Sequence, residues 1–255
     1  MKIGAQFYTL RDFCKDLDGL SESLKKVADI GYKTVQISGT CPFEADWLKN
    51  ELDKNGIQCV VTHTAPAKLQ GELQKVIEDH SIFGCDNIGL GYYSFMGKSN
   101  DDSFDNFFET YMPIAKKIKM SGKKFLYHHH ANEFSKYDGK LILEHIAEKF
   151  SPDELGIIVD TFWVQAGGAN PADWIEKLSG RVECIHLKDF AYDRNSQERL
   201  MAVIGEGNIN FDRVFEAAEK AGTKYMLVEQ DDCYGENPFD CLKRSYDFLK
   251  SRGFK

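Results

Sequence analysis

The chain repeats one pattern of hydrophobic and polar positions, in which an amphipathic helix is followed by a glycine and a short apolar strand. The helices carry apolar residues at intervals of three and four, as at Leu20, Leu24 and Val27, which is the spacing of one buried helix face. A glycine just past a helix accommodates a left-handed turn. Seven glycines mark these junctions: Gly31, Gly56, Gly84, Gly122, Gly156, Gly180 and Gly222. With a first strand over Ile3–Tyr8, the pattern predicts eight strands.

Short apolar strands that alternate with helices indicate parallel strands covered by helices. Eight such units favour a closed barrel over an open doubly wound sheet, which is the alternative. The length of 255 residues suits one barrel of this kind. Because no linker rich in glycine, serine or proline divides the chain, we predict an α/β protein, a single-domain (β/α)8 TIM barrel spanning residues 1–255.

Composition and charge narrow the function classes. Hydrophobic residues make up 42% of the chain, which is enough for a sizeable core. The net charge of −8 argues against nucleic acid as a partner, and no apolar run reaches the length of a membrane span. The start of the chain has no signal-peptide core, and the seven cysteines are scattered without a C-x-x-C pair. We therefore expect a cytoplasmic protein without a disulfide framework, and we leave open whether it is a monomer or a homo-oligomer.

Ionisable side chains stand where the predicted apolar strands end. The residues concerned are His63, His128, Asp160, His186 and Glu229. In a barrel, the C-terminal strand ends meet at one rim, where active sites lie. Any one of these carboxylates could be a structural ion-pair partner. Several together would be costly to bury unpaired, and a shared divalent cation removes that cost. Two carboxylates with one or two imidazoles suit Mn²⁺, Zn²⁺, Co²⁺ or Fe²⁺. We therefore predict one divalent metal ion, of unspecified identity, as cofactor.

Six motifs carry a family resemblance. They are Gly4–Asp12 (GAQFYTLRD), Tyr127–Phe134 (YHHHANEF), Asp160–Trp163 (DTFW), His186–Asp189 (HLKD), Gly205–Gly207 (GEG) and Val228–Asp231 (VEQD). In their order and their placement at strand ends, the chain resembles the xylose-isomerase-like barrels, specifically the sugar phosphate isomerase/epimerase group. That superfamily also contains inosose dehydratases, ketose 3-epimerases and endonuclease IV. The resemblance covers nearly the whole chain.

The resemblance implies one divalent metal held by Glu, Asp, His and Glu from strands five to eight. Asp160, His186 and Glu229 match three of these positions. Where many members end strand five with Glu, this chain has His128. Glu133, on the following loop, is the favoured fourth ligand, with His128 and His130 as the alternatives.

The chemistry that the resemblance implies is removal of a proton beside a carbonyl, through an enediolate that the metal stabilises. Glu229 is then both ligand and base, and His128 or His130 is the acid or base on the other substrate face. Lys188 is expected to polarise a carbonyl oxygen, with a rim ion pair to Asp189 as the alternative.

The resemblance implies a small carbohydrate as substrate, and sugars present both hydroxyl groups and apolar C–H faces. Gln6 begins the rim at strand one, and His63 is expected to bind a substrate hydroxyl, although a purely structural histidine is an equal alternative. Trp163 offers an apolar face for a sugar ring, with core packing as its alternative.

The sequence is compatible with functions of different classes. The leading one is a metal-dependent isomerase or epimerase of a sugar or keto-sugar. The runner-up is a lyase, a dehydratase acting on a keto-inositol or a 3-keto-sugar, because the His-rich motif of strand five resembles that branch. A DNA-repair nuclease is disfavoured, because it needs a three-metal cluster with more histidines than Asp160–Trp163 offers and because the chain is acidic. A metal-free binding barrel is the remaining alternative.

Overall fold

In the computed structural model, which describes residues 1–95 and 100–255 and the side chains of 1–95 and 103–255, eight parallel strands close into a barrel. The strands are β1 (Lys2–Gln6), β2 (Thr34–Ile37), β3 (Gln58–His63), β4 (Asn87–Leu90), β5 (Lys124–His128), β6 (Gly156–Asp160), β7 (Cys184–Leu187) and β8 (Tyr225–Val228). Each strand pairs with the next along the chain, and β8 closes the barrel on β1. The predicted (β/α)8 barrel is confirmed.

Helices cover the outside of the barrel. They are α1 (Leu17–Ile30), α2 (Ala45–Asn55), α3 (Pro66–Gly71), α4 (Leu73–Ile82), α5 (Asn100–Met120), α6 (Ile142–Lys149), α7 (Thr161–Ala166), α8 (Pro171–Lys177), α9 (Phe211–Ala221) and α10 (Pro238–Ser251). Two short antiparallel ribbons lie in the loops after β5 and β7, at Lys136–Tyr137 with Lys140–Leu141 and at Asp189–Tyr192 with Arg199–Ala202. In the described part of the chain, no helix is both long and apolar enough to cross a membrane.

The glycine junctions follow the prediction with one exception. Gly56 and Gly222 take left-handed backbone angles, with φ of 60° and 77°, directly after α2 and α9. Gly156 is instead the first residue of β6, and its φ is not positive. A Cβ on Gly156 would lie 2.5 Å from Leu126 Cδ2 and 3.1 Å from the Arg181 carbonyl oxygen, so the glycine makes room for close packing between strands rather than ending a helix.

The long loop after β7 is organised by a single buried carboxylate, that of Asp189. Its Oδ2 accepts hydrogen bonds from the backbone N–H groups of Gly205 and Gly207, at 2.9 Å each. Its Oδ1 accepts from the N–H groups of Phe190 (2.7 Å) and Ile209 (3.2 Å). A Cβ on Gly207 would lie 2.5 Å from Asp189 Oδ1, so only glycine allows this approach. The Gly205–Gly207 motif is therefore the anchor of the loop.

Replacing Asp189 by asparagine is expected to lower the free energy of unfolding by about 2–6 kcal/mol. The amide NH₂ would face two N–H donors in place of one carboxylate oxygen and leave them unpaired, at about 1–3 kcal/mol for each buried group. Urea denaturation would measure the change. The matched control is Asp193→Asn, because Asp193 is only half-buried and its Oδ1 accepts from the N–H of Asn195 in the same loop.

Candidate metal centre and substrate cavity

An apolar floor inside the barrel supports the candidate site. Six buried residues fill the barrel interior: Val60, Val61, Leu126, Ile158, Cys184 and Leu227. Four of them stand two positions before His128, Asp160, His186 and Glu229, respectively. Side chains two positions apart point to the same side of a strand. Each of these strands thus gives one apolar residue to the floor and one polar residue above it.

The four polar residues form one compact buried group. His128, Asp160, His186 and Glu229 each offer a ligand atom, and these atoms lie within 4.8 Å of one another. Nε2 of His128 is 3.1 Å from Asp160 Oδ2, and Nδ1 of His186 is 2.9 Å from Glu229 Oε2. At most 3% of any of these side chains is exposed to solvent. We call this group the candidate metal centre.

Hydrogen bonds outside the group orient both imidazoles. Nδ1 of His128 donates to the carbonyl oxygen of Gly91 (3.0 Å), so its Nε2 lone pair faces Asp160. Nε2 of His186 donates to Gln36 Oε1 (2.7 Å), so its Nδ1 faces the carboxylates. Partners on the far ring nitrogen that fix the tautomer are typical of metal-binding histidines. Glu229 is also held in place, because Gln6 Nε2 donates to its Oε1 at 2.6 Å.

The donor atoms of these four residues suit a divalent metal ion. Nδ1 of His186 is buried without a hydrogen-bond partner and lies 2.9 Å from Glu229 Oε2, whose ion-pair partner is the Lys188 ammonium at 3.0 Å. A divalent ion would bind this unpaired nitrogen and share the carboxylates with Lys188. The set of two imidazole nitrogens and two carboxylate oxygens suits Mn²⁺, Zn²⁺, Co²⁺ or Fe²⁺.

Lys188 supplies the positive charge of the site. Its Nζ is 3.1 Å from Asp160 Oδ2, 3.0 Å from Glu229 Oε2 and 3.0 Å from Asp231 Oδ2. Burial alone would lower its pKa, but the three carboxylates outweigh burial and raise it. The lysine is therefore charged at neutral pH. The alternative of a rim ion pair with Asp189 is wrong, because Asp189 accepts four backbone N–H groups elsewhere.

The two central carboxylates are ionised for the same reason. Burial would raise the pKa of Asp160, but the Lys188 ammonium and the histidines hold it well below its usual range. Burial would likewise raise the pKa of Glu229, and Lys188 and His186 lower it further than burial raises it. Burial lowers the pKa of His128 to about 4, so this imidazole is neutral and its lone pair is available near pH 7.

Glu133 does not reach the candidate metal centre, and the expectation that it is the fourth ligand is corrected. Its Oε1 accepts from the hydroxyl of Tyr127 (2.6 Å) and its Oε2 from the backbone N–H of His130 (2.7 Å). The Tyr127 ring contacts Phe107 of α5, on the outer side of β5. His128 points to the inner side and completes the group instead. Glu133 shapes the turn that presents His130.

The middle histidine of the His-rich motif is structural. His129 is fully buried, and its Nε2 accepts from the backbone N–H of Asp160 at 3.1 Å, which ties the end of β5 to β6. His130 instead faces the rim, 4.6 Å from the His128 ring and 5.3 Å from the Trp163 ring between centroids. Of the three neighbouring histidines, the first therefore belongs to the candidate metal centre, the second joins two strands and the third lies at the rim.

A cavity of about 670 Å³ opens above the candidate metal centre. The predicted site residues that line it are Gln6, His63, His128, His130, Trp163, Lys188 and Glu229. Nε2 of His63, Nδ1 of His130 and Nε1 of Trp163 are buried and have no hydrogen-bond partner. The wall therefore presents unpaired polar atoms between aromatic faces.

Two site residues were missed in the sequence. Gln36 orients His186, and its signal was a lone amide between the apolar residues of β2. Asp231 lines the cavity and binds Lys188, and its signal was its position two residues beyond Glu229. Burial and the charge of Glu229 raise the pKa of Asp231 to about 7.

Comparison with known proteins identifies the family. The family model for xylose isomerase-like TIM barrels matches residues 24–252. Inosose dehydratase from Mesomycoplasma hyopneumoniae (strain 7448) is 22% identical over 264 residues, which cover 90% of this chain and 87% of that protein.

Solved structures show the same fold. A sugar phosphate isomerase/epimerase from Parabacteroides distasonis ATCC 8503 is similar with a TM-score of 0.80 and 22% identity, over 98% of this chain and 93% of that one. An L-ribulose 3-epimerase is similar with a TM-score of 0.76 and 14% identity, over 98% and 94% of the two chains. The barrel, the strand-end site and the family match lead to one conclusion: the chain belongs to the xylose isomerase-like TIM barrel family.

Proposed function

We propose that the protein is a metal-dependent isomerase or epimerase of a sugar or keto-sugar that removes a proton beside a carbonyl. The observation that carries this proposal is the candidate metal centre itself, a buried group of two imidazoles and two ionised carboxylates beneath a cavity. The size of the cavity suits a small carbohydrate, since ligand pockets typically measure about 300–1,000 Å³. The match to a family of sugar-processing enzymes supports the same assignment.

The metal would be held by His128, Asp160, His186 and Glu229. A divalent ion bound there acts as a Lewis acid toward the negative charge that develops on the substrate oxygen. His128 takes the place that the family gives to a glutamate, so the centre has one carboxylate fewer than that pattern.

The remaining groups divide the proton chemistry. Glu229 is ionised and is the proposed base for the carbon-bound proton. Lys188 is charged and lines the cavity, which supports its proposed role of polarising a carbonyl oxygen. Burial lowers the pKa of His130 to about 3, so this ring is neutral near pH 7, and its unpaired Nδ1 can exchange a proton with the opposite face of the substrate.

Sugar hydroxyls would satisfy the unpaired atoms of the cavity wall. The Trp163 indole Nε1 can only donate a hydrogen bond, whereas the ring nitrogens of His63 and His130 can donate or accept. The same aromatic rings offer faces to the C–H groups of a sugar. The wall thus combines the two kinds of contact that a carbohydrate needs.

A dehydratase is the second candidate, because the inosose dehydratase relative matches over 90% of this chain. Both reactions begin with removal of the same kind of proton and differ in whether a β-hydroxyl leaves. The metal-loaded protein should be incubated with a panel of ketoses and keto-inositols, and the products identified by NMR. A changed configuration or carbonyl position supports the isomerase, an unsaturated product supports the dehydratase, and no turnover of any compound counts against both.

Replacing His63 by alanine is expected to weaken substrate binding by about tenfold and to leave metal affinity unchanged. The ring stacks on His128 at 5.2 Å, and its Nδ1 is bonded to Ser38, but it is not part of the candidate metal centre. One hydrogen bond is worth about 0.5–1.5 kcal/mol. Metal titration and KM on the identified substrate would measure the two effects. Loss of metal with unchanged KM at saturating metal would show that the role is wrong.

A further inference from the structure

A second cavity of about 290 Å³ lies beside the substrate cavity, and we call it the side compartment. The residues that line both cavities are Ser38, Gly39, Thr40, His63, Thr64 and Ala65. They belong to the ends of β2 and β3 and the segments that follow. The side compartment is therefore reached from the same face of the barrel, across a wall that the substrate would already contact.

Apolar groups form most of the remaining lining. They are Ile37, Cys41, Pro42, Phe43, Val76 and Phe83. Among the charged lining residues, Lys68 is exposed, and the carboxylate of Asp79 accepts from Lys75 at 2.9 Å. The Lys68 ammonium is thus in solvent and the Asp79 carboxylate is paired with another side chain, so neither brings an unpaired charge into the compartment.

The fully buried polar side chains of the compartment are paired within the protein. Nδ1 of His80 donates to the carbonyl oxygen of Val76 (2.7 Å), and its Nε2 lies 2.8 Å from Thr62 Oγ1. The Thr62 hydroxyl is in turn 2.9 Å from that of Thr64. Among the described residues of its lining, only His63, on the shared wall, has a buried polar atom without a hydrogen bond. Beyond this shared histidine, the buried side chains that the structure describes in the side compartment leave no polar atom for a hydroxyl group to satisfy.

We propose that the side compartment binds an apolar, ring-sized substituent carried by the sugar, so that the substrate is an aryl-substituted sugar rather than a free one. The inference rests on the proposed function for the sugar part. A cavity of about 150 Å³ is enough for benzene, so the side compartment accommodates one aromatic ring with room for small substituents. The shared wall is what lets one molecule occupy both cavities.

Matched pairs of methyl and phenyl keto-pyranosides, which carry a ring carbonyl beside a C–H group and are compared in several ring configurations, test the proposal by calorimetry on the metal-loaded protein. For a configuration that binds, the phenyl compound should bind about tenfold tighter or better, which corresponds to burial of one ring. Cys41 is half-buried in the lining, so the indole of Cys41→Trp should fill the compartment. In this variant the phenyl compound should bind no tighter than the methyl compound, and the affinity for the methyl compound should stay the same. Cys41→Ser is the matched control, and Pro42→Trp is a second filling variant at an exposed position.

Benzyl alcohol, observed by NMR, tests the compartment without a sugar. It should bind the wild type and the Cys41→Ser variant, and lose binding in either tryptophan variant. If benzyl alcohol binds but no pyranoside does, the compartment stands and the proposed carbohydrate function is overturned. If pyranosides bind and the phenyl and methyl members have equal affinity, the compartment proposal is overturned and the function stands. No binding of benzyl alcohol to the wild type also overturns the compartment.

Discussion

The Asp160→Asn variant is expected to lose its divalent metal while it keeps its fold. Asparagine retains an Oδ1 that can accept from the backbone N–H of Trp163, as Asp160 does at 3.0 Å, so the N-terminal cap of α7 survives. It loses the negative charge that faces His128 and Lys188. Changes in groups that only orient metal ligands typically cost 10–100-fold in affinity, so loss of a ligand charge should cost about 100-fold or more. Elemental analysis and metal titration measure this effect.

The matched control is Asp173→Asn, because Asp173 is an exposed carboxylate in the first turn of α8. Its metal content should equal that of the wild type. A second comparison tests the fourth ligand: His128→Asn should lower metal affinity, whereas Glu133→Gln should not, because Glu133 faces Tyr127 rather than the candidate metal centre. Stoichiometric metal in Asp160→Asn would overturn the assignment, and metal loss in Glu133→Gln alone would restore Glu133 as ligand.

Exchange of a carbon-bound substrate hydrogen with solvent is expected to slow by about 10²–10⁴-fold in Glu229→Gln. That range is the usual contribution of a positioned acid or base, and an amide cannot take up the proton. The glutamine keeps the shape of Glu229 and an oxygen for Gln6 to bind. NMR of substrate incubated with enzyme in D₂O gives the rate, and metal occupancy is measured in the same samples because Glu229 is also a proposed ligand.

Glu183→Gln is the control for this experiment. Glu183 is largely buried and directly precedes β7, and its carboxylate pairs with Lys124, the first residue of β5. It therefore lies at the end of the barrel opposite to the candidate metal centre. Its exchange rate should match the wild type. Two results count against the proposed base: wild-type exchange in Glu229→Gln at full metal occupancy, or wild-type turnover without any deuterium incorporation. The second result would indicate hydride transfer or a proton path shielded from solvent.

Most of the fold could be predicted, because a barrel of this type repeats one local pattern eight times. The strand ends were harder to place. The first strand was predicted to reach Tyr8 but ends at Gln6. The side-chain oxygen of Gln6 accepts a hydrogen bond from the backbone N–H of Tyr8, and the chain turns there into a short 3₁₀ helix over Phe7–Leu10. Such a turn depends on one side-chain contact and leaves no mark on the hydrophobic pattern.

The site could be predicted only where strand periodicity determines side-chain direction. Asp160, His186 and Glu229 each follow an apolar residue by two positions, so their inward direction could be read from the sequence. Glu133 lies beyond the strand, and the turn that carries it decides on which side of β5 it falls. Gln36 was missed for another reason: its role is a contact with His186, on a strand 150 positions away.

The hydrogen bonds from Gln6 and Gln36 make the candidate metal centre depend on the closed ring of strands. All four proposed ligands lie between residues 128 and 229, yet the two glutamines that orient Glu229 and His186 come from β1 and β2. A fragment that starts after β2 would carry every ligand and neither glutamine. During synthesis the orienting amides emerge from the ribosome first and the last ligand only with β8, so tight metal uptake would mark completion of the barrel rather than a step on the way to it.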